Sequence, residues 1–186
     1  MIRLDVRPDL RTIERELTRL ESGLRDRAIT AAINKTGDKA RAEMTRRITS
    51  EFAIKARDVR GQIVLRRASA KGAGLVAELE AFGRRGGKRS LNVVHFGARQ
   101  TAQGVTLRIK KSGGRKLIKH AFIANQGRTV FIRAGKRRLP IQPVETIDVP
   151  QMFNTKRING AVLAKIKREL PVELERAFNM LARRGR

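Results

Sequence analysis

The chain has 186 residues, with 43 Lys and Arg against 17 Asp and Glu, no cysteine, and a net charge of +26. The absence of thiols excludes disulfides, thiolate nucleophiles and cysteine-based zinc sites. The first residues do not resemble a signal peptide, and no apolar run approaches the roughly 20 residues that span a bilayer, so we expect a soluble chain made in the cytosol without membrane contact.

Residues 1–62 are predicted to be mainly helical. A short strand comes first, because Ile2, Leu4 and Val6 alternate with charged residues. Two apolar stripes at helical spacing follow. The first stripe consists of Leu10, Ile13, Leu17, Leu20 and Leu24, and the second of Ile29, Ile33, Ala40, Met44, Ile48 and Phe52. The stripe shifts at Ser22-Gly23, where a kink or short turn is expected, and a third, short helix is predicted around residues 55–62.

Residues 63–150 are predicted to be mainly β-structure. The apolar segments there are short, rich in Val, Ile, Leu and Phe, and separated by basic connectors that contain glycine. The predicted strands cover residues 63–68, 75–82, 91–96, 105–110, 121–124 and 129–133, with an edge strand expected at residues 139–141 or 146–149. The longest connectors contain residues 83–89 and 110–116. This pattern predicts a central antiparallel sheet or sandwich with long basic loops.

Residues 156–183 return to a helical period. The apolar positions are Ile158, Val162, Ile166, Leu170, Leu174, Phe178 and Leu181. Because Pro171 lies inside this stripe, we expect a kink or two abutting helices. The predicted fold class is α+β, with N-terminal helices, a central antiparallel β-sheet or sandwich and a C-terminal helix, in a single domain that spans residues 1–186.

The positive charge is concentrated in the middle of the chain. Residues 81–144 contain 16 Lys and Arg and no Asp or Glu, whereas the rest of the chain has 27 Lys and Arg against 17 acids. A surface that cannot neutralise itself must face an external anion, either a phosphate backbone or an acidic protein. The candidate contact residues are Arg84, Arg85, Lys88, Arg89, Lys110, Lys111, Arg115, Lys116, Lys119, Arg133, Lys136, Arg137 and Arg138.

The same segment offers little for catalysis. Gly86-Gly87-Lys88 does not fit the phosphate-loop pattern, since Phe82 stands where the first glycine belongs and Arg89 where the hydroxyl belongs. His95 and His120 have no acidic neighbour in the sequence, so strand or strand-edge packing is expected for both rather than metal binding or a catalytic dyad. No catalytic, cofactor-binding or metal-binding residue is predicted, no cofactor is expected, and the chain is not expected to be an enzyme.

Several short segments, taken in order, resemble a known family. They are residues 31–36 (AAINKT), 96–101 (FGARQT), 104–105 (GV), 120–124 (HAFIA), 130–133 (VFIR) and 138–141 (RLPI). Their order and spacing resemble the minor tail protein Z family of tailed phages and prophages, the tail-completion proteins of lambda-like siphophages. The resemblance extends from about residue 25 to residue 155.

The resemblance implies a structural virion protein of the phage neck that completes the tail and helps join it to the head, as a homo-oligomeric ring around the DNA channel. The implied partners are further copies of the chain and the tail-terminator and head-connector proteins. The uncompensated charge, and not the resemblance, is the reason to expect non-specific contact with genomic DNA. The implied location is the virion, assembled in the host cytoplasm. The alternative is a free, sequence-independent nucleic-acid-binding protein. A nuclease is disfavoured, because the acids are not grouped for Mg²⁺.

Overall fold

The computed structural model describes residues 2–6, 22–70, 75–83 and 91–184. Its helices are α1 (Ser22–Glu51), α2 (Ala56–Arg60), α3 (Val149–Phe153) and α4 (Lys156–Arg184), with a 3₁₀ helix at Val93–Phe96. The first predicted helix falls mostly on residues 7–21, and the connector of residues 83–89 falls mostly on residues 84–90, so both lie largely outside the described residues. No helix in the described ranges is long and apolar enough to cross a membrane.

The strands form small antiparallel sheets. They are β1 (Ile2–Val6), β2 (Ile63–Arg66), β3 (Ala77–Ala81), β4 (Leu91–Asn92), β5 (Arg99–Thr101), β6 (Gly104–Leu107), β7 (Lys116–Lys119), β8 (Ala121–Ala124), β9 (Thr129–Arg133), β10 (Ile141–Pro143) and β11 (Glu145–Thr146). In the described residues the strand orders are β1-β3-β2, β5-β6-β7, β10-β9-β8 and β11-β4. With 47% helix and 26% strand, the predicted α+β class is confirmed.

Contacts divide the chain into two compact units. The first unit contains Met1–Met44, Ile63–Ala81 and Lys156–Arg186, and the second contains Thr45–Gln62 and Phe82–Thr155. The first unit therefore holds the β1-β3-β2 sheet and α4, and the second holds the sheets of the acid-free segment. The assignment of residues 1–186 to a single domain stays a prediction.

Both long helices bury the apolar stripes that their sequences predict. On α1, Ile29, Ile33, Ala40, Met44 and Ile48 are buried, and Phe52 is buried just past the helix end. On α4, Ile158, Val162, Ile166, Leu170, Leu174 and Phe178 are buried. α4 continues through Pro171, so of the two expected outcomes the abutting helices are wrong and the kink stays a prediction. Pro171 removes one backbone hydrogen bond from the helix. Burial of Leu170 and Leu174 on either side of the proline offsets this loss and favours one continuous helix.

A three-residue ion cluster lies in the first unit between α1 and α4. Lys39 Nζ donates to Glu169 Oε2 at 2.6 Å and to Glu173 Oε1 at 2.5 Å. The side chains of Lys39, Glu169 and Glu173 are only 29%, 17% and 8% exposed. The hydrogen bond from Lys39, together with one from Lys165, lowers the pKa of Glu169 to about 2. The pKa of Glu173 is also lowered by Lys39, and the two carboxylates raise the pKa of Lys39.

Local capping explains two differences from the predicted strands. Only the first two residues of the segment 91–96 form a strand, because the Asn92 side chain accepts from the Val94 N–H at 3.1 Å and starts the 3₁₀ helix. The segment of residues 146–149 ends in a helix instead of continuing as a strand. There Asp148 and Gln151 form a capping box, which starts α3 at Val149.

Two strands of the second unit are not among the predicted ones. β5 and β7 are mostly exposed and polar, so they lack the apolar alternation that indicates a strand. β7 lies at the end of the connector predicted over residues 110–116, and it pairs with β6 from Leu107↔Lys116 to Gly104↔Lys119. β7 is therefore a strand because its backbone pairs with the more buried β6, and not because of an apolar pattern in its own sequence.

Two amide side chains link the sheets of the second unit. Asn92 is 3% exposed; its Oδ1 accepts from the Val130 N–H at 2.8 Å and its Nδ2 donates to the Val130 carbonyl at 3.1 Å. Gln100 does the same further along: its Oε1 accepts from the Ile123 N–H at 2.8 Å, and its Nε2 donates to the Gly104 carbonyl at 3.1 Å. Each side-chain amide thus supplies the donor and the acceptor that the backbone of a neighbouring strand would supply in a sheet.

The Gly104→Ala substitution should destabilise the protein by about 2 kcal/mol or more. Gly104 has a φ of 149°, and a Cβ there would lie 2.1 Å from the Ile118 carbonyl oxygen. The matched control is Gly114→Ala, since a Cβ at Gly114 has no neighbour within 4 Å. Urea unfolding of both variants checks this expectation, and equal midpoints for the two variants would contradict it.

The Glu169→Gln substitution should reduce the acid dependence of stability. Because the folded-state pKa of Glu169 is about 2 against an ordinary value of 4.5, its contribution is complete above pH 4.5 and is lost as the pH falls towards 2. The variant should therefore be less stable than the wild type at pH 6, with the gap closing by pH 2. Urea midpoints across this pH range measure the gap, with Glu175→Gln, an exposed residue of the same helix, as control. A gap that is unchanged between pH 6 and pH 2 would contradict the assignment.

Candidate nucleic-acid interface

The structure places nine of the thirteen predicted contact residues in the second unit. Arg84, Arg85, Lys88 and Arg89 lie outside the described residues. The other nine are Lys110, Lys111, Arg115, Lys116, Lys119, Arg133, Lys136, Arg137 and Arg138, and all of them are exposed. None of these nine forms an ion pair with a residue in the described ranges. Their charge is therefore available to an external anion.

Lys110 and Lys111 are held in place by their backbone. Lys110 forms an antiparallel bridge with Phe52, which follows α1. The Lys111 N–H donates to the Glu51 carbonyl at 2.8 Å. These contacts fix the chain at the end of α1 while both side chains stay exposed. The two ammonium groups thus lie on an ordered segment.

Arg115 has a structural role in addition to its charge. Its Nη2 donates to the Gly97 carbonyl at 2.8 Å and to the Thr106 carbonyl at 3.0 Å, which links the turn before β7 to β6. Replacing this guanidinium with a carboxylate would leave both carbonyls without their donor and place a negative charge beside them. Arg115 is therefore unsuited to a charge reversal that must leave the fold intact.

Two of the predicted residues, Lys119 and Arg133, meet at an open cleft of about 540 Å³. The lining residues are Gln100, Ala102, Gln103, Gly104, Lys119, His120, Ala121, Phe122 and Arg133. The turn between β5 and β6 forms one wall, and the junction between β7 and β8 forms another. The His120 N–H donates to the Gln103 carbonyl at 3.1 Å, which ties these two walls together. The lining contains cations and neutral polar groups and no carboxylate.

An aromatic pair supports the cationic side of this cleft. Phe122 and Phe131 are cross-strand partners on β8 and β9, and their ring centroids lie 6.1 Å apart. The Arg133 guanidinium carbon lies 4.9 Å from the centroid of the Phe122 ring. A guanidinium in this position is attracted by the ring quadrupole. Arg133 is therefore held by an uncharged partner, and its full charge remains for a ligand.

The sequence does not reveal this cleft, because its parts come from separate turns. Lys119 and Arg133 were predicted as contact residues on charge alone, with no indication that they meet. Gln103, His120 and Phe122 were not predicted as site residues. The sequence feature that comes nearest to indicating them is the position of His120 directly after the basic segment of residues 110–119. This position by itself does not indicate a cleft.

The expectation of strand or strand-edge packing is wrong for His95, and His120 lies at a strand end but is exposed. His95 lies in the 3₁₀ helix, 38% exposed, with its Nδ1 at 3.2 Å from Asp58 Oδ2. Asp58 belongs to α2, so the contact brings together residues that are far apart in sequence. His120 is an exposed turn residue with a φ of 61° between β7 and β8. Within the described residues no three His, Asp or Glu side chains group as metal ligands.

The arrangement can bind anions and shows no element for reading bases. The exposed cations lie on turns, on the short strand β7 and on β9, and none of the nine lies on a helix that could enter a groove. Positive side chains on turns and strand ends contact phosphates, which fix position without reporting sequence. The surface is thus suited to a polyanion of any sequence.

The comparisons with known proteins give a family and no closer relative. The model of the family described as prophage minor tail protein Z (GPZ) matches residues 10–184. No curated protein and no solved structure matches the chain. Because the match covers nearly the whole chain, the resemblance seen over residues 25–155 is confirmed and extended. The chain belongs to the prophage minor tail protein Z family, and it is accordingly a phage minor tail protein, a structural component of the virion.

Proposed function

We propose that this protein completes the tail at the phage neck and helps to join it to the head, as a ring around the DNA channel. The observation that carries the proposal is the exposure of nine basic residues in the second unit with no ion pair to any described residue. Membership of a minor tail protein family supplies the setting. In a tail the polyanion at hand is the genome, and the role is structural, without a catalytic step.

The proposed contact with DNA is electrostatic and independent of sequence. Lys110, Lys111, Lys116 and Lys119 are exposed on and near β7, and Lys136, Arg137 and Arg138 are exposed between β9 and β10. Each phosphate that these residues neutralise releases counterions, so the observed affinity should fall steeply with salt, by about 0.9 log units per log unit of salt for each phosphate. A weak, salt-sensitive contact lets DNA pass instead of holding it.

The proposed ring must bring many copies of a +26 chain together. The carboxylates of Glu169 and Glu173 are already paired with Lys39 in the same chain, so they contribute little to contacts between subunits. α4 also exposes the apolar side chains of Leu163 and Val172, which are suited to a contact that does not depend on charge. The proposed ring therefore relies on apolar contacts and on anions that screen the remaining repulsion.

Assembly of the purified protein should increase with ionic strength. Screening weakens repulsion between +26 subunits, since the Debye length falls from about 10 Å at 0.1 M salt to about 3 Å at 1 M. Light scattering after size-exclusion chromatography at both salt concentrations measures the change. A chain that stays monomeric at both, and that also stays monomeric with an added oligonucleotide, would contradict the ring.

Reversal of three exposed lysines to Glu (Lys110→Glu, Lys111→Glu and Lys116→Glu) should impair head–tail joining. The three side chains are exposed and have no ion pair with a described residue, so the fold should persist while the DNA-facing charge changes sign. A phage lacking this protein, complemented with the variant, is assayed for infectivity and imaged by electron microscopy. The expected result is unjoined heads and tails, or joined particles with at least tenfold lower infectivity.

The matched control reverses Lys35, Lys156 and Lys167 to Glu. These lysines are exposed on the long helices of the first unit. Their reversal lowers the net charge by the same amount as the reversal of Lys110, Lys111 and Lys116. The control should complement almost as well as the wild type. Equal infectivity of the two triple variants would show that position does not matter, and the assignment of the surface to DNA would be wrong.

A further inference from the structure

The cleft at Lys119, His120 and Arg133 has a defined shape, unlike the rest of the basic surface. We propose that it is a binding site for a phosphate group, occupied in the virion by a phosphodiester of the genomic DNA. The DNA source rests on the proposed function above, whereas the chemistry of the cleft does not. The first argument is composition, since Lys119, His120 and Arg133 carry donors for an anion and no side chain of the lining is a carboxylate.

Arg133 is the principal donor in this proposal. Its guanidinium lies 4.9 Å from the Phe122 ring centroid and forms no ion pair or hydrogen bond with a described residue. A guanidinium placed against a ring has its planar N–H fork preoriented, and that fork matches two oxygens of a phosphate. The ring thus orients Arg133 without neutralising it.

Lys119 and His120 supply donors from the opposite wall. The backbone of Lys119 is fixed by pairing with Gly104, where the absence of a Cβ allows the chains to approach closely. The His120 N–H is fixed by the Gln103 carbonyl. Both side chains remain exposed and have no partner among the described residues. Fixed backbones with uncommitted cationic and polar side chains are typical of a preformed anion site.

Two features of the lining favour a phosphate over a nucleobase. The Phe122 ring already contacts Arg133 and Phe131, so it offers little surface for base stacking. The Gln100 amide, which could read a base edge, is used at both ends by backbone groups of Gly104 and Ile123. The donors that remain are suited to a compact anion with several oxygens.

The test is an amide chemical-shift titration of the full chain with inorganic phosphate, followed by binding of a twelve-nucleotide oligothymidylate at fixed salt. Phosphate should produce saturable shifts at His120 and Ala121. The double variant Lys119→Gln with Arg133→Gln should lose these shifts and bind the oligonucleotide at least tenfold more weakly than the control variant Lys35→Gln with Lys167→Gln. The control changes charge equally at exposed residues outside the cleft. Replacing Arg133 by Lys instead of Gln should restore part of the lost oligonucleotide affinity, since lysine keeps the positive charge but lacks the planar N–H fork of a guanidinium.

Three outcomes would overturn the proposal. The first is the absence of saturable shifts at His120 and Ala121 with phosphate. The second is an equal loss of oligonucleotide affinity in the cleft variant and the control. The third is displacement of the oligonucleotide by an acidic peptide of equal charge as readily as by phosphorylated ligands, which would assign the cleft to carboxylates. If one of these outcomes is observed while the triple lysine reversal still blocks head–tail joining, the tail-completion role stands and only the phosphate site is wrong.

Discussion

The absence of any carboxylate between residues 81 and 144 decides how the second unit is held together. With no internal anion from this segment, its polar contacts depend mainly on neutral acceptors. Arg115 donates to the carbonyls of Gly97 and Thr106, and Arg108 donates to the Gly113 carbonyl at 2.9 Å. The amides of Asn92 and Gln100 link strands that do not pair directly. The fold is thus stabilised without neutralising its surface charge.

In the first unit, by contrast, several of the described acids pair with cations of the same unit. Lys39 pairs with Glu169 and Glu173, and Arg66 Nε lies 3.1 Å from Oε2 of the fully buried Glu80. The carboxylates in these pairs already have a cation as partner within the chain. The described part of the first unit thus has internal charge pairs, which the acid-free segment of the second unit cannot form within itself. Attraction for an external anion is concentrated in the second unit.

This division fits a structural protein of the phage tail. The proposed contact with DNA would benefit from charge on an ordered support, and none of the nine described cations lies on a helix that could read bases. The Asp58–His95 contact shows that a carboxylate can reach the acid-free segment from outside, and it does so at only one of the two histidines in the described residues. His120 instead lies beside Lys119 and Arg133, where the local charge is entirely positive.

The sequence by itself determined the α+β class, the buried faces of α1 and α4, the strands at residues 121–124 and 129–133, and the family. The class, the buried faces and the strands depend on local periodicity, since an apolar stripe must be buried wherever its partner lies. The family depends on the order and spacing of short sequence segments. Only the tertiary structure decided the rest. β7 is a strand because β6 pairs with it, and α4 passes through Pro171 because the flanking leucines are buried. The cleft exists because separate turns meet at Gly104, and contacts between residues distant in sequence leave no periodic trace in the chain.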